Sequence, residues 1–111
     1  MSEYATETFG DIESTLAQRG KRYGCFKEHS RITQNLKSCM VHSENWSELS
    51  DDKREALEMI AHKIGRILNG DPNYHDSWHD IVGYAKLVAD SLLINEKTVI
   101  KTSFVMRKRY F

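Results

Sequence analysis

Charged side chains crowd one short stretch of this chain, and their spacing limits what they can do. Glu55-Ala-Leu-Glu58 puts two carboxylates one helical turn apart. Lys63 and Arg66 follow at the same spacing, and Asp76 and Asp80 come after a polar turn. If the flanking segments are helices, so short a turn makes them antiparallel, and the two bases come level with the aspartates. Two chemistries suit such a cluster. In one, the residues form an interhelical ion-pair network that fixes hairpin register, with Arg66–Asp80 the leading pair. In the other, Lys63 and Arg66 hold a phosphate while the aspartates orient them. Lys21 and Arg22, beside Tyr23 and Gly24, would add positive charge.

The other reactive side chains are less organised. His75 and His79 stand i, i+4, a spacing that can chelate zinc or nickel, but no Glu or Cys accompanies them. Surface histidines are the simpler expectation, and His62 lies far from the turn. His29 falls on an apolar stripe and is expected to be buried or half-buried. Cys25 and Cys39 lie 14 apart. Two cysteines are too few for a disulfide framework, and they read as reduced, small apolar side chains. Tyr23, Phe26, Trp46, Trp78 and Tyr84 read first as core. Gly65 and Gly83 each sit inside a helical pattern at a cost of about 1 kcal/mol against alanine, so each predicts close approach of another helix or a ligand.

The elements that must position these residues follow from periodicity. A first short helix is expected over 11–19, with glycines in the Arg19–Gly24 run interrupting it. Phe26, His29, Ile32, Thr33, Leu36 and Met40 share one stripe of a second helix over 26–41. Ser43 to Leu49 reads as a loop around Trp46. Ser50 or Asp51 caps a third helix, whose acidic first turn suits the positive end of its dipole. Leu57, Ile60, Ala61, Ile64, Ile67 and Leu68 form its apolar stripe. Asn69-Gly70 ends it and Pro72 prevents continuation. Asp71 and Asn73 offer caps, and Tyr74 a staple, within the turn. The fourth helix is expected over 76–93 with Trp78, Ile81, Val82, Ala85, Val88, Ala89 and Leu92 buried. The fold expected is therefore all-α: a compact bundle of about four helices over 1–93, built on a hairpin of about 50–69 and 76–93. Residues 94–111 read as a loosely held, basic C-terminal tail, since a lone β-prone segment has no strand to pair with.

Composition narrows the class. At 111 residues, with 40% hydrophobic and 29% charged residues, the chain is one ordinary globular domain. Residues 1–93 carry 15 acidic against 11 basic side chains, a net of −4, while residues 94–111 carry five basic against Glu96, a net of +4. An acidic body is a poor binder of nucleic acid, so no nucleic-acid partner is expected. No apolar run approaches the roughly 18 residues of a membrane span, and the N-terminus lacks the pattern of a signal peptide. A cytoplasmic protein without membrane contact is expected, and its small all-α core predicts a homo-oligomer.

Three pieces of the chain carry a resemblance: LAQRGKRYGCFKEHSRITQNLK (16–37), Trp46, and EALEMIAHKIGRILNGDPNYHDSWHDIVGYAKLVADSL (55–92). Through them, residues 14–93 resemble a family of small proteins of unknown function encoded by tailed phages and prophages. More distantly, the Arg22-Tyr23-Gly24, Lys63-x-x-Arg66 and Asp76-x-x-x-Asp80-x-x-x-Tyr84 pattern is similar to a phage nucleotide-modification-associated domain. That domain is in turn similar to all-α nucleoside-triphosphate pyrophosphohydrolases of the MazG and dimeric dUTPase type.

The resemblance implies a phage accessory protein, in the cytoplasm of an infected or lysogenic host, that binds a nucleotide or other phosphate-bearing ligand. It implies Mg²⁺ held by Glu55, Glu58, Asp76 and Asp80, bridging phosphate oxygens in a pyrophosphohydrolase-like reaction. Lys63 and Arg66 would then hold phosphate, and Tyr23, Trp46 and Tyr84 would line the nucleotide site. The chain departs from the enzymes where Asp76-x-x-x-Asp80 replaces ExxD. At a rise of about 1.5 Å per residue, Glu58 and Asp80 fall about 10 Å out of step along the hairpin, so the metal would need a bent hairpin or another subunit's carboxylate. The alternative is a non-enzymatic module that binds a host protein, as a counter-defence or host-takeover factor.

Overall fold

A computed structural model describes the backbone of residues 2–99 and the side chains of residues 11–94. Four α-helices follow one another: α1 (Ser2–Tyr23), α2 (Phe26–Val41), α3 (Asp51–Asn69) and α4 (His75–Val99), with a 3-10 turn at Trp46–Glu48. No strand occurs among the described residues. No helix is long and apolar enough to cross a membrane.

α2 and α3 keep the limits that their stripes and stop signals dictate. Ser50 occupies the N-cap of α3 in an extended conformation. Its hydroxyl does not accept a backbone N–H; it donates to the Asp52 carboxylate. Asp71 Oδ1 accepts the N–H of Asn73 at 2.9 Å, the side-chain-to-backbone turn expected after a helix stop. α1 and α4 outrun the sequence reading. α1 continues through Gly20 as far as Tyr23, so Gly24, at φ +80°, is where the chain turns. α4 passes the expected boundary at 93 and reaches Val99. The rest of the tail, from residue 100, lies outside the described residues.

α3 is the centre of the bundle, touching α1, α2 and α4. Gly65 explains the fit on one side. The Thr33 methyl and the His29 ring of α2 fill the space where a Cβ would stand, so the expected close approach occurs there. At Gly83 the chain's own atoms make no such approach: nothing lies within 4 Å of its missing side chain.

The expected core of α4 needs a correction. Trp78, Val82, Ala85, Ala89 and Leu92 are exposed, and the seam against α3 is formed by Ser77, Ile81, Tyr84, Val88 and Ser91. The reason is geometric. α4 packs chiefly on one neighbour, α3, which covers one stripe of a helix whose apolar face spans two. The core of the single chain is correspondingly thin. Among the described residues the buried apolar side chains are Ala56 and Ala61, and the buried polar ones are His29, Thr33, Lys63 and Ser77.

Candidate functional site

The turn between α1 and α2 and the turn between α3 and α4 lie at one end of the bundle and are tied together by Asn69. Its side-chain amide donates to the carbonyl oxygens of Tyr23 and Cys25, both at 2.9 Å, while the N–H of Asp71 donates to the Arg22 oxygen at 2.6 Å. Glycine is required on both sides of this clip. A Cβ on Gly24 would strike the Asn69 backbone oxygen, and one on Gly70 would strike the backbone of Arg22 and Tyr23. The Asn69-Gly70 stop signal of α3 therefore also locks the turn between α1 and α2.

That lock creates a ladder of rings and guanidinium groups. Arg66 lies over the Tyr23 ring, 4.0 Å from its centroid. Tyr23 meets Tyr74 edge-on at 6.1 Å, and Arg22 caps Tyr74 at 4.3 Å. A guanidinium over an aromatic ring is attracted by the ring face, and that contact leaves its N–H donors available for an acceptor. Among the described residues no carboxylate pairs with Arg66 or Arg22. The Tyr74 hydroxyl donates to Asp76 at 3.0 Å, and that carboxylate holds its pKa above the usual value.

Beside the ladder a cleft of about 370 Å³ opens between α1, α2 and α3. Leu16, Arg19 and Tyr23 line it from α1, Phe26 and His29 from α2, and His62 and Arg66 from α3. Its volume falls within the range of small-ligand pockets. Two arginines and no carboxylate line it, so its charge selects anions. The two histidines stay neutral. His29 Nε2 and His62 Nδ1 approach to 3.4 Å with the rings edge-on. Burial lowers the pKa of both, and the Arg66 charge lowers them further; His62 is pushed down to about 4. His29 Nδ1 is buried without a hydrogen-bond partner, so the expected core histidine is present but only half satisfied. Cys25 also borders the cleft, exposed at the start of α2, where the backbone N–H groups of Glu28 and Lys27 lower its thiol pKa. Both cysteines are exposed, not the packed apolar groups that their number suggested.

The residues singled out from the sequence are only partly brought together. Arg66 and Tyr23 meet in the cleft. Lys63 does not join them: it is buried, and its Nζ pairs with Asp80 Oδ2 at 2.9 Å across the α3–α4 seam. The register-fixing ion pair therefore exists with Lys63, not Arg66, as the base. The hydrogen bond from Lys63, and then its charge, hold the Asp80 carboxyl below the usual range. Trp46 sits beyond the other end of α3, where its carbonyl accepts Arg54 Nε at 3.0 Å. Arg54 is 12 residues before Arg66, about 18 Å of helix rise. Tyr84 lines a separate shallow depression with His79, Asp80, Gly83 and Leu87. His75 and His79 stack on each other at 5.4 Å as exposed rings.

The four carboxylates do not fit a shared Mg²⁺ in one chain. Lys63 is level with Asp80, so Glu58 lies five residues, about 7 Å, along the axis from it, and Asp76 four residues the other way. Helical phase turns Glu58 about 140° away from Lys63, and Glu55, about 80° away, lies eight residues, about 12 Å, from it along the axis. Among the described residues no three His, Cys, Asp or Glu side chains are grouped to hold a metal ion.

No family model, curated protein or solved structure matches the chain. The reading of this site therefore stands on its geometry.

The cleft residues that sequence reasoning missed are Arg19, Leu16, His29 and His62. Each carried a weak signal. Arg19 and Leu16 precede the Tyr23-Gly24 turn by one helical turn or two, and only the position of that turn shows that they face α3.

Proposed function

We propose that this chain binds a nucleotide or a similar phosphate-bearing small molecule in the cleft between α1, α2 and α3. One observation carries the reading: Arg66 is held over the Tyr23 ring, without a carboxylate partner among the described residues, at the wall of a cleft that also contains Arg19 and no acidic group. Arg66 and Arg19 take the phosphate oxygens. Phe26, exposed at the cleft, offers an aromatic face to the base. His29 and His62, neutral at pH 7, offer hydrogen bonds without adding charge. On the resemblance of residues 14–93, the setting is that of a phage accessory protein. Because the four carboxylates are apart, the reading is of binding, and no hydrolytic step is assigned to Mg²⁺.

The test is isothermal titration of the full chain with nucleoside mono- and triphosphates, with and without Mg²⁺. Binding that survives chelation of Mg²⁺ is expected. Arg66→Ala is expected to weaken it by about 10- to 100-fold, the usual loss of a charge-assisted phosphate contact. Absence of heat from every nucleotide would sink the proposal.

A second reading, a protein-binding module directed at a host protein, draws on the exposure of Phe26 and Leu16 at the cleft, 77% and 62%. Such a mouth also suits an apolar side chain flanked by an acidic one. It is favoured if nucleotides fail and Phe26→Ala abolishes retention of a host protein.

A further inference from the structure

The face of the α3–α4 hairpin opposite the cleft is apolar, and no described residue covers it. The Lys63–Asp80 pair marks one edge of the α3–α4 seam. Helical phase places Ile60 and Ile81 at the other edge. Beyond that second edge come Leu57, Ile64 and Leu68 on α3, and Trp78, Val82, Ala85, Ala89 and Leu92 on α4. All therefore lie on one side of the hairpin. His62 and Arg66, which line the cleft, point away from it.

Two features of this face fit a second copy of the same chain. The first is its extent. Leu57, Leu68, Trp78, Val82 and Leu92 are 39, 65, 51, 61 and 42% exposed, on the order of 500 Å² of apolar side chain. With the alanines and the half-buried Ile60, Ile64 and Ile81, the face approaches the roughly 800 Å² that each partner gives to a stable interface. The second is its symmetry. Residues 78, 82, 85, 89 and 92 alternate steps of four and three, the seam of a close helix pair. Trp78 and Leu92 stand seven residues either side of Ala85. An antiparallel pair of α4 helices with its two-fold axis at Ala85 sets Trp78 against Leu92 of the partner subunit, and the small alanines let the axes close. None of these side chains is charged, which disfavours residues 100–111 as the cover, since they carry four basic groups.

We infer that two copies of this chain associate through the Leu57–Leu68 and Trp78–Leu92 face, with α4 antiparallel to its partner about Ala85. The cleft opens on the other side, so each subunit keeps its own.

Sedimentation equilibrium of the full chain at micromolar concentration is expected to give twice the 12.9 kDa chain mass. Ala85→Arg is expected to give the single-chain mass with unchanged helical circular dichroism. Should that variant unfold, a cross-link still decides. In a Cys25→Ser, Cys39→Ser background, Ala85→Cys is expected to oxidise to a covalent dimer at least tenfold faster than Gly83→Cys, which sits on a different, open face of α4. A wild-type mass of 12.9 kDa throughout would overturn the inference and give the face to another occupant. Equal cross-linking at positions 85 and 83 would overturn it too.

Discussion

Two basic residues one helical turn apart, Lys63 and Arg66, take different roles because of what each meets. Lys63 is 8% exposed, so it needs a charged partner, and the geometry supplies Asp80. Arg66, three residues on, reaches past the seam to a tyrosine face instead. Guanidinium suits that surface and ammonium suits the carboxylate, as their hydration and shape require. Asp80→Asn should therefore lower the urea midpoint, since it strands a buried ammonium, and should leave nucleotide binding within twofold of the wild type. Asp80→Leu combined with Lys63→Met should recover most of the loss. If Asp80→Asn instead abolished binding at unchanged stability, the cleft would be the wrong site.

At the scale of elements, the α2–α3 contact is set by a missing side chain. Gly65→Ala gains up to about 1 kcal/mol of helix propensity. Against that, the new methyl collides with the Thr33 methyl, which a β-branched residue in a helix cannot easily turn away. Overpacking of this kind costs about 1–3 kcal/mol, so a net loss of roughly 1–2 kcal/mol is expected in equilibrium unfolding. Gly83→Ala has open space around it and keeps only the propensity gain in the single chain. The pair of variants separates a packing glycine from an idle one, and equal stability of the two would contradict the contact.

For the molecule as a whole, the α2–α3 seam makes stability depend on pH. His29 and His62 have folded pKa values below the ordinary histidine value, with His62 at about 4. Below about pH 6.5 the unfolded chain takes up protons that the folded chain refuses. Stability is therefore highest above that value and falls as pH drops toward 4. The groups around the pair, Lys37, Lys63 and Arg66, are all cationic and oppose protonation. The Asp80–Lys63 pair adds a loss at still lower pH, because a depressed carboxyl stabilises only while ionised. Urea midpoints at pH 7.5 and 5 should differ in that direction, and His62→Gln should flatten the slope. A pH-independent midpoint would show that the histidines are not buried as described.

Several parts of this protein follow from local sequence. The limits of α2 and α3, the stop at Asn69-Gly70 and the antiparallel hairpin each depend on short-range terms: apolar period, capping and glycine or proline chemistry. A glycine inside a helix pointed to tight packing at Gly65, but the same signal at Gly83 meets open space in the single chain, so the helix cost alone does not say where a neighbour stands. Tertiary structure decided the rest. Periodicity shows that α4 has an apolar face but not how many neighbours cover it, so Trp78, Val82 and Leu92 turned out exposed. Charge spacing shows that a base meets Asp80 but not which one, because a turn of helix separates Lys63 from Arg66 and only the packing angle selects between them. The cleft joins residues 16–29 to residues 62–66 through the clip made by Asn69. A contact between positions some 40 apart in sequence depends on how α1 and α2 pack on α3, and no local rule of sequence encodes that.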